Sequence, residues 1–509
     1  MKSKASIKQW NRRRWLSVAA GTIVAPTPYV NAEKKIPAHP TQLSFKNLDF
    51  KPPEAVEYRH ELPHGAVAYL VEDHQLPLVR IGVMVRTGSY LVPDEYLGLA
   101  SMTGALMRSG GTQSMSPAKF DEEAAFLATE IYSAVGATSA RAGLDCLKQN
   151  LEPSLELFFD MLRNPAFNPT RLGLIQKRRL QDMQRRNDRT DGIEEREFRR
   201  LMRGDEHFTS KLTTQKTIRS ITPERMREFH SHYYHPSSFI FSVSGDFDRS
   251  GILKRIKDVL HDNWAADNNS VVPSVPIPKY QPQAGLVMVN KPDVNQSRVS
   301  IGHLGIQRDN PDHIAVMIMN SILGGGGFTS RIMTRVRSDE GLAYSARSTF
   351  GAGIYYPGVF RASFQSKNAG CAQATSIVLE ELKRICGEKV SHRELDTAKN
   401  YATEIFPRFF ATASMVASTF ADDEYTGREG NYWKHYRERV ASLTRDDILR
   451  AAQKYLHPEK VVILAVGNVE EILRGNPDRP QYKFETLVKN EQIRHVPLPD
   501  PMTMQYPSE

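Results

Sequence analysis

Ile221-Thr222-Pro223-Glu224-Arg225-Met226 runs through Tyr234-His235-Pro236 and Phe239-Ile240-Phe241 to Val243-Ser244-Gly245-Asp246. The same plan returns as Leu443-Thr444-Arg445-Asp446-Asp447-Ile448, then Leu456-His457-Pro458, Val461-Val462-Ile463 and Val466-Gly467-Asn468. The offset is 222 residues from Ile221 to Leu443 and again from Gly245 to Gly467, so the copies match without a gap. Each copy predicts a helix with a threonine N-cap, a proline stop and an apolar strand ending at a flexible residue. A second match, near offset 223, relates Leu155 to Leu162 with Phe167 and Leu172 to Val378 to Ile385 with Val390 and Leu395. A fixed internal period signals a repeated structural unit, here two halves of roughly 220 residues.

Working outward, Asn, Ser and Pro enrichment across 267–284 reads as a linker between a first half at 33–266 and a second at 285–475. Residues 476–509 are Pro-rich and aperiodic and predict an extended tail. Gly65 to Val71 and Val79 to Val85 read as paired strands, Tyr96 to Met107 and Pro117 to Ala128 as helices, and Leu172 to Arg189 as one long basic helix. In the second half, Val299 to Leu304 reads as a strand and His313 to Leu323 as a helix; a Gly324–Gly327 loop and a further helix through Arg337 follow. Helices and strands mix in both halves, so the fold class is α+β, with two homologous halves of mostly antiparallel sheet flanked by helices.

Composition narrows the function classes. The chain has 509 residues, a net charge of +9, 40% hydrophobic and 25% charged residues, which suits several globular domains and excludes a disordered chain. Six of the nine charges are Lys2, Lys4, Lys8, Arg12, Arg13 and Arg14, leaving +3 for the rest. That is too little to argue for a nucleic-acid partner. The basic start leads into the apolar run Trp15 to Ala25 and a Val30-Asn31-Ala32 cleavage site, the pattern of a signal peptide over 1–32. Arg12-Arg13-Arg14-Trp15-Leu16 suits a twin-arginine as well as a Sec signal, so the expected location is exported and periplasmic. No later stretch reaches the ~20 apolar residues of a membrane span. Cys146, Cys371 and Cys386 form no C-x-x-C pair and read as buried small hydrophobes.

Three motifs are weighed against plain structure. His60-Glu61-Leu62-Pro63-His64 fits the zincin pattern, but that pattern needs a continuous helix and Pro63 breaks it. The stretch is a turn between strands. His230, His232 and His235 could bind metal, yet at the repeat offset they become Ala452, Lys454 and His457, so the His-Pro pair reads as a helix stop. Gly324 to Gly327 lacks the Gly-Lys-Ser/Thr of a phosphate loop and predicts a mobile, low-profile backbone that a peptide could approach.

Taken together, Leu62-Pro63-His64-Gly65, Val85-Arg86-Thr87-Gly88-Ser89, Gly98-Leu99-Ala100, Leu323-Gly324-Gly325-Gly326, Ser330-Arg331, Val336-Arg337 and Gly341-Leu342-Ala343-Tyr344 resemble the insulinase/pitrilysin family of inverted zinc peptidases. The resemblance covers nearly all of residues 55–475 and implies homologous halves closing as a clam shell. It also implies an H-x-x-E-H motif after Gly98-Leu99-Ala100, where this chain has Ser101, Gly104 and Ala105. The family's later glutamate ligand falls at Asp182. One carboxylate is a single ligand where a catalytic zinc site needs three, so this chain is expected to bind no zinc and to hydrolyse nothing alone. Some exported members divide the work between two chains. The resemblance therefore implies a metal-free subunit that lends Arg337 and Tyr344, with the Gly324, Gly325, Gly326 and Gly327 loop on the substrate, to a zinc-bearing homologous partner. The alternative it implies is an inactive scaffold or peptide-binding chaperone.

Overall fold

The computed structural model describes Leu43, residues 50–261, Trp264, 272–487 and 493–507. The leader 1–32 and the start of the 267–284 linker lie outside the described residues. The described residues from Phe50 onward form one compact unit.

Two six-stranded sheets organise this unit. The first contains β1 (Arg59–Glu61), β2 (Val67–Glu72), β3 (Leu78–Val85), β4 (Glu130–Val135), β5 (Ala140–Leu147) and β6 (Phe239–Gly245), in the order β1-β2-β6-β3-β5-β4. The second contains β7 (Gly285–Asn290), β8 (Gln296–Leu304), β10 (Ala343–Phe350), β12 (Val359–Lys367), β13 (Val462–Gly467) and β14 (Arg494–His495), in the order β10-β12-β8-β13-β7-β14. β9 (Ile306–Gln307) and β11 (Ala352–Gly353) make a small parallel pair. The repeat now has its physical meaning. β6 and β13, which end the two copies, each lie parallel to the first long strand of their half and antiparallel to the next. The helices before them start at N-caps Thr222 and Thr444, whose side chains accept from Arg225 N and Asp447 N.

The expected pairing of Gly65 to Val71 with Val79 to Val85 is corrected: β6 lies between β2 and β3 and bonds to both. Phe239, Ile240, Phe241 and Val243 are buried, and a strand that is apolar on both faces belongs at the centre of a sheet. The long basic helix also changes. It spans Pro169–Gln184 and is followed by a separate helix, Thr190–Arg203.

That second helix and its repeat equivalent cross between halves. Thr190–Arg203 and Ala413–Thr426 are 223 residues apart at both ends. The first sets Ile193, Phe198, Leu201 and Met202 on Val287, Val289, Val462, Leu464 and Val466 of the second sheet. The second sets Val416, Ala417, Phe420 and Ala421 in a core with Val67, Tyr69, Val71, Met84 and Ile240 of the first sheet. Fully burying a large apolar side chain contributes about 1.5–3 kcal/mol, so each half holds the other. Charges fasten the same contacts. Arg59 Nε donates to Glu424 at 3.1 Å and Tyr69 OH donates to the same carboxylate at 2.8 Å, while Arg361 meets Glu194 at 3.0 Å and Glu195 at 2.7 Å.

The linker and tail are seated. Tyr90 OH donates to the Pro273 carbonyl at 3.0 Å, and His207 Nε2 to that of Pro276 at 3.1 Å. The tail adds β14 beside β7 and then runs over the first half. There, Asn187 Nδ2 donates to Pro499 O at 2.8 Å, Gln215 N to Met502 O at 2.8 Å, and Tyr506 OH to Glu197 at 2.9 Å. No described helix is long and apolar enough to cross a membrane.

Candidate functional site

Helix Leu99–Ser109 carries the three positions where metal ligands are looked for, and it packs directly on β4. Gly104 is buried against that strand. A Cβ there would stand 2.6 Å from Val135 N and 2.9 Å from Ala134 C, so helix and strand meet backbone to backbone. Ser101 Oγ donates to Gly98 O at 3.0 Å, inside its own turn. Asp182 is exposed near the end of Pro169–Gln184, and its carboxylate has no hydrogen-bond or ion-pair partner among the described residues.

The histidines do not converge either. His230 is buried, its Nε2 donates to Leu162 O at 2.8 Å, and burial, opposed by that bond, lowers its pKa to about 4. His232 is exposed, and His235 meets Ser237 Oγ at 2.6 Å. His60 lies on β1, while His64 sits in the Pro63–Gly65 turn. Among the described residues, no group of three His, Cys, Asp or Glu side chains could hold a metal ion. Cys146 and Cys371 are buried and Cys386 is half-buried, and burial pushes all three thiols up.

The second-half motif is assembled more tightly than a mobile loop. After helix His313–Asn320 the chain widens into a π-turn over Ser321–Gly325. A Cβ on Gly324 would lie 2.6 Å from Ser348 N, one on Gly325 2.7 Å from Asn320 Nδ2, and one on Gly326 2.6 Å from Ser321 O. Three of the four glycines therefore serve close packing, and the expectation of a mobile loop is corrected. Gly327 alone needs the left-handed region, at φ 67°. Asn320 fastens the loop to β10, donating to Ser348 O at 3.2 Å and accepting from Ser348 Oγ at 2.7 Å.

Arg337 follows on the short helix Thr334–Asp339, which ends in a left-handed glycine turn. Leu342 N bonds to Val336 O and Gly341 N to Arg337 O, with Gly341 at φ 62°. That turn folds β10 back so that Tyr344 comes beside Arg337. The guanidinium lies 4.9 Å from the Tyr344 ring centre and 4.6 Å from that of Phe328, stacked between the two. Tyr344 is 85% exposed and Phe328 70%. Arg337 has no carboxylate partner among the described residues, so its N–H groups remain available in a fixed plane. Phe328 went unrecognised in the sequence. The signal was a large apolar residue placed straight after four glycines, where no core is near.

Tyr344 also borders an open groove of about 740 Å³ along β10, β12 and β8, lined by second-half residues that include Arg298, Arg347 and Lys367.

The chain matches the model described as "Insulinase (Peptidase family M16)" over residues 67–205 and that described as "Peptidase M16 inactive domain" over 220–401. It belongs to the insulinase family. Among its relatives, a Helicobacter pylori protein called "Non-peptidase homolog YmxG" is 21% identical over 74% of this chain and 86% of its own length. A Rickettsia bellii "Uncharacterized zinc protease" is 23% identical over 53% of this chain and 69% of its own. In fold, it resembles a solved peptidase M16 inactive domain from Pseudomonas fluorescens, with TM-score 0.72 and 23% identity over 80% of this chain and 97% of that one.

As an insulinase-family chain it is an inactive-type homologue, and its residues do not fit the family's zinc. Serine, glycine and alanine at 101, 104 and 105 offer neither imidazole nor carboxylate to a zinc ion, and a side chain at 104 would meet β4 backbone.

Proposed function

We propose that this chain is the metal-free subunit of an exported heterodimeric peptidase, and that it lends Arg337 and Tyr344 to peptide hydrolysis centred on a zinc-bearing homologous partner. The observation that carries the reading is the Phe328–Arg337–Tyr344 stack. It is a charged donor set against two exposed aromatics, without an acid partner among the described residues, beside an open groove of about 740 Å³. A free guanidinium and a phenol suit a peptide carbonyl and the negative charge that develops on it. The packed Gly324–Gly327 turn gives the substrate a side-chain-free shelf next to them. The basic leader 1–32 supports export to the periplasm.

The test is to co-purify the chain with an H-x-x-E-H-bearing homologue and follow cleavage of a quenched peptide. Loss of one transition-state donor lowers kcat by about 10²–10³, so Arg337→Ala should fall by that factor and Tyr344→Phe in the same direction, with the dimer intact on size exclusion. Unchanged rates reject the assignment. If no metal-bearing homologue associates and no mixture cleaves, the chain is an inactive peptide-binding or structural subunit.

A further inference from the structure

The inner faces of the two sheets are built alike but charged differently. In the first half, the cavity between β3, β5, β6 and helix Ala413–Thr426 contains Arg80 and Arg141, and both are neutralised. Arg80 pairs with Asp145, and Arg141 meets Asp422 at 2.5 Å. In the second half, the register places Arg298, Arg361, Lys367 and Arg347 on one face. Arg298 stands opposite Gln365, Lys367 opposite Gln296 and Arg347 opposite Ser363. Helix Thr190–Arg203 supplies the acids there. Glu194, only 3% exposed, meets Arg361 at 3.0 Å and Arg298 at 3.5 Å, and Glu195 meets Arg361 at 2.7 Å. Both acids are consumed by that end of the face. Arg347 and Lys367 are exposed and have no hydrogen-bond or ion-pair partner among the described residues. Among the described residues, no aspartate or glutamate lines the groove, whose polar lining includes Gln296, Gln365, Ser345 and Ser363.

We infer that this groove selects peptides carrying acidic side chains, bound in extended form across its floor. This deepens the proposed function by naming its substrate class, and rests on it for the link to catalysis. The outer edge of β10 is already engaged at Ser348, whose carbonyl accepts from Asn320 and whose N–H faces Gly324, so the groove's side chains and not an added strand make the contacts. Side chains of an extended peptide alternate, and every second one faces the groove floor. Along β12, Lys367 lies four residues beyond the partner of Arg347, roughly 13 Å in an extended chain. Two acids four residues apart on the peptide span that length, and one between them faces the polar middle. Arg337 stands at the entrance, where β10 begins, and adds a third unpaired cation.

The experiment uses the isolated full-length chain and fluorescence anisotropy with three labelled peptides, alike except for three alternating positions that are all Glu, all Gln or all Lys. The Glu peptide should bind at least about tenfold more tightly than the other two at low salt, with the preference shrinking as salt rises. Arg347→Glu combined with Lys367→Glu should abolish the preference, and the Arg347→Gln/Lys367→Gln pair should weaken it. Equal affinities for the three peptides with wild type, or an undiminished Glu preference in the reversed variant, would overturn the inference. A Glu preference without proteolysis in any mixture would leave the groove assigned and reject the heterodimer reading alone.

Discussion

Substituting Gly104 by alanine tests whether the degenerate metal helix has closed on its neighbouring strand. In a helix interior, Gly→Ala ordinarily gains about 1 kcal/mol. Here the new Cβ would sit 2.6 Å from Val135 N and 2.9 Å from Ala134 C, both backbone atoms that no rotamer change can clear. Overpacking of this sort costs roughly 1–3 kcal/mol, so the net change is a loss of up to about 2 kcal/mol. Gly173 supplies the control. It lies in helix Pro169–Gln184 with nothing within 4 Å of its Cβ position, so Gly173→Ala should keep the whole gain. Urea midpoints measured side by side should place Gly104→Ala below wild type and Gly173→Ala above it. If the two variants shift together, the backbone contact is absent in solution and the reasoning fails. The same contact predicts that Ser101→His/Gly104→Glu/Ala105→His does not regain the site. Elemental analysis showing one zinc per folded chain of that variant would equally refute it.

Two further outcomes follow from charged groups outside the groove. Burial raises the Glu394 carboxyl, but Arg331 at 2.6 Å and the Ser391 N–H and hydroxyl outweigh it and hold it at about 2, against an ordinary 4.5. A depressed acid stabilises above its unfolded pKa, so this contribution should be intact above about pH 4.5 and vanish as pH falls toward 2. Glu394→Gln should show lower urea midpoints at neutral pH and a flatter profile in that window. Tyr506→Phe removes the tail's bond to Glu197, which is 1% exposed, and should cost about 1–3 kcal/mol. Limited proteolysis should then release the tail beyond Arg494 faster than in wild type, and equal rates would show that the phenol does not fasten it.

Much of this was readable because local chemistry decided it. Thr222 and Thr444 cap helices wherever those helices go, and Pro63 forbids a zincin helix in any fold. Arg337 and Tyr344 were legible as a pair, and the left-handed turn at Gly341 is what brings them together. What stayed hidden depends on partners distant in sequence. The apolar run of β2 and the alternation in β3 say that both lie in a sheet, but not that β6 enters between them. Four glycines read as mobile until Ser348 and Asn320 are seen pressed against them. Residues 190–203 are so rich in Arg and Glu that their apolar stripe of Ile193, Phe198, Leu201 and Met202 escapes notice. Even once seen, a stripe states that a face is buried and not which sheet buries it.

The exchanged helices join the two halves and set the charge on each sheet's inner face. Each sheet's inner face is apolar over its central strands and polar toward β4 or β10. The helix from the opposite half packs its apolar residues on the apolar part and reaches the polar part with acids, Asp422 to Arg141 in the first half and Glu194 and Glu195 to Arg298 and Arg361 in the second. The joint therefore has an apolar strip and a charged margin, and the halves stand or fall as one unit. In the first half the helix carrying Gly104 lies on β4, and acids neutralise Arg80 and Arg141; in the second, Arg347 of β10 and Lys367 of β12 have no ion-pair partner among the described residues, on the same sheet margin as the stacked Arg337 and Tyr344. The part of the margin that the opposite half's acids do not reach is where the proposed peptide groove lies.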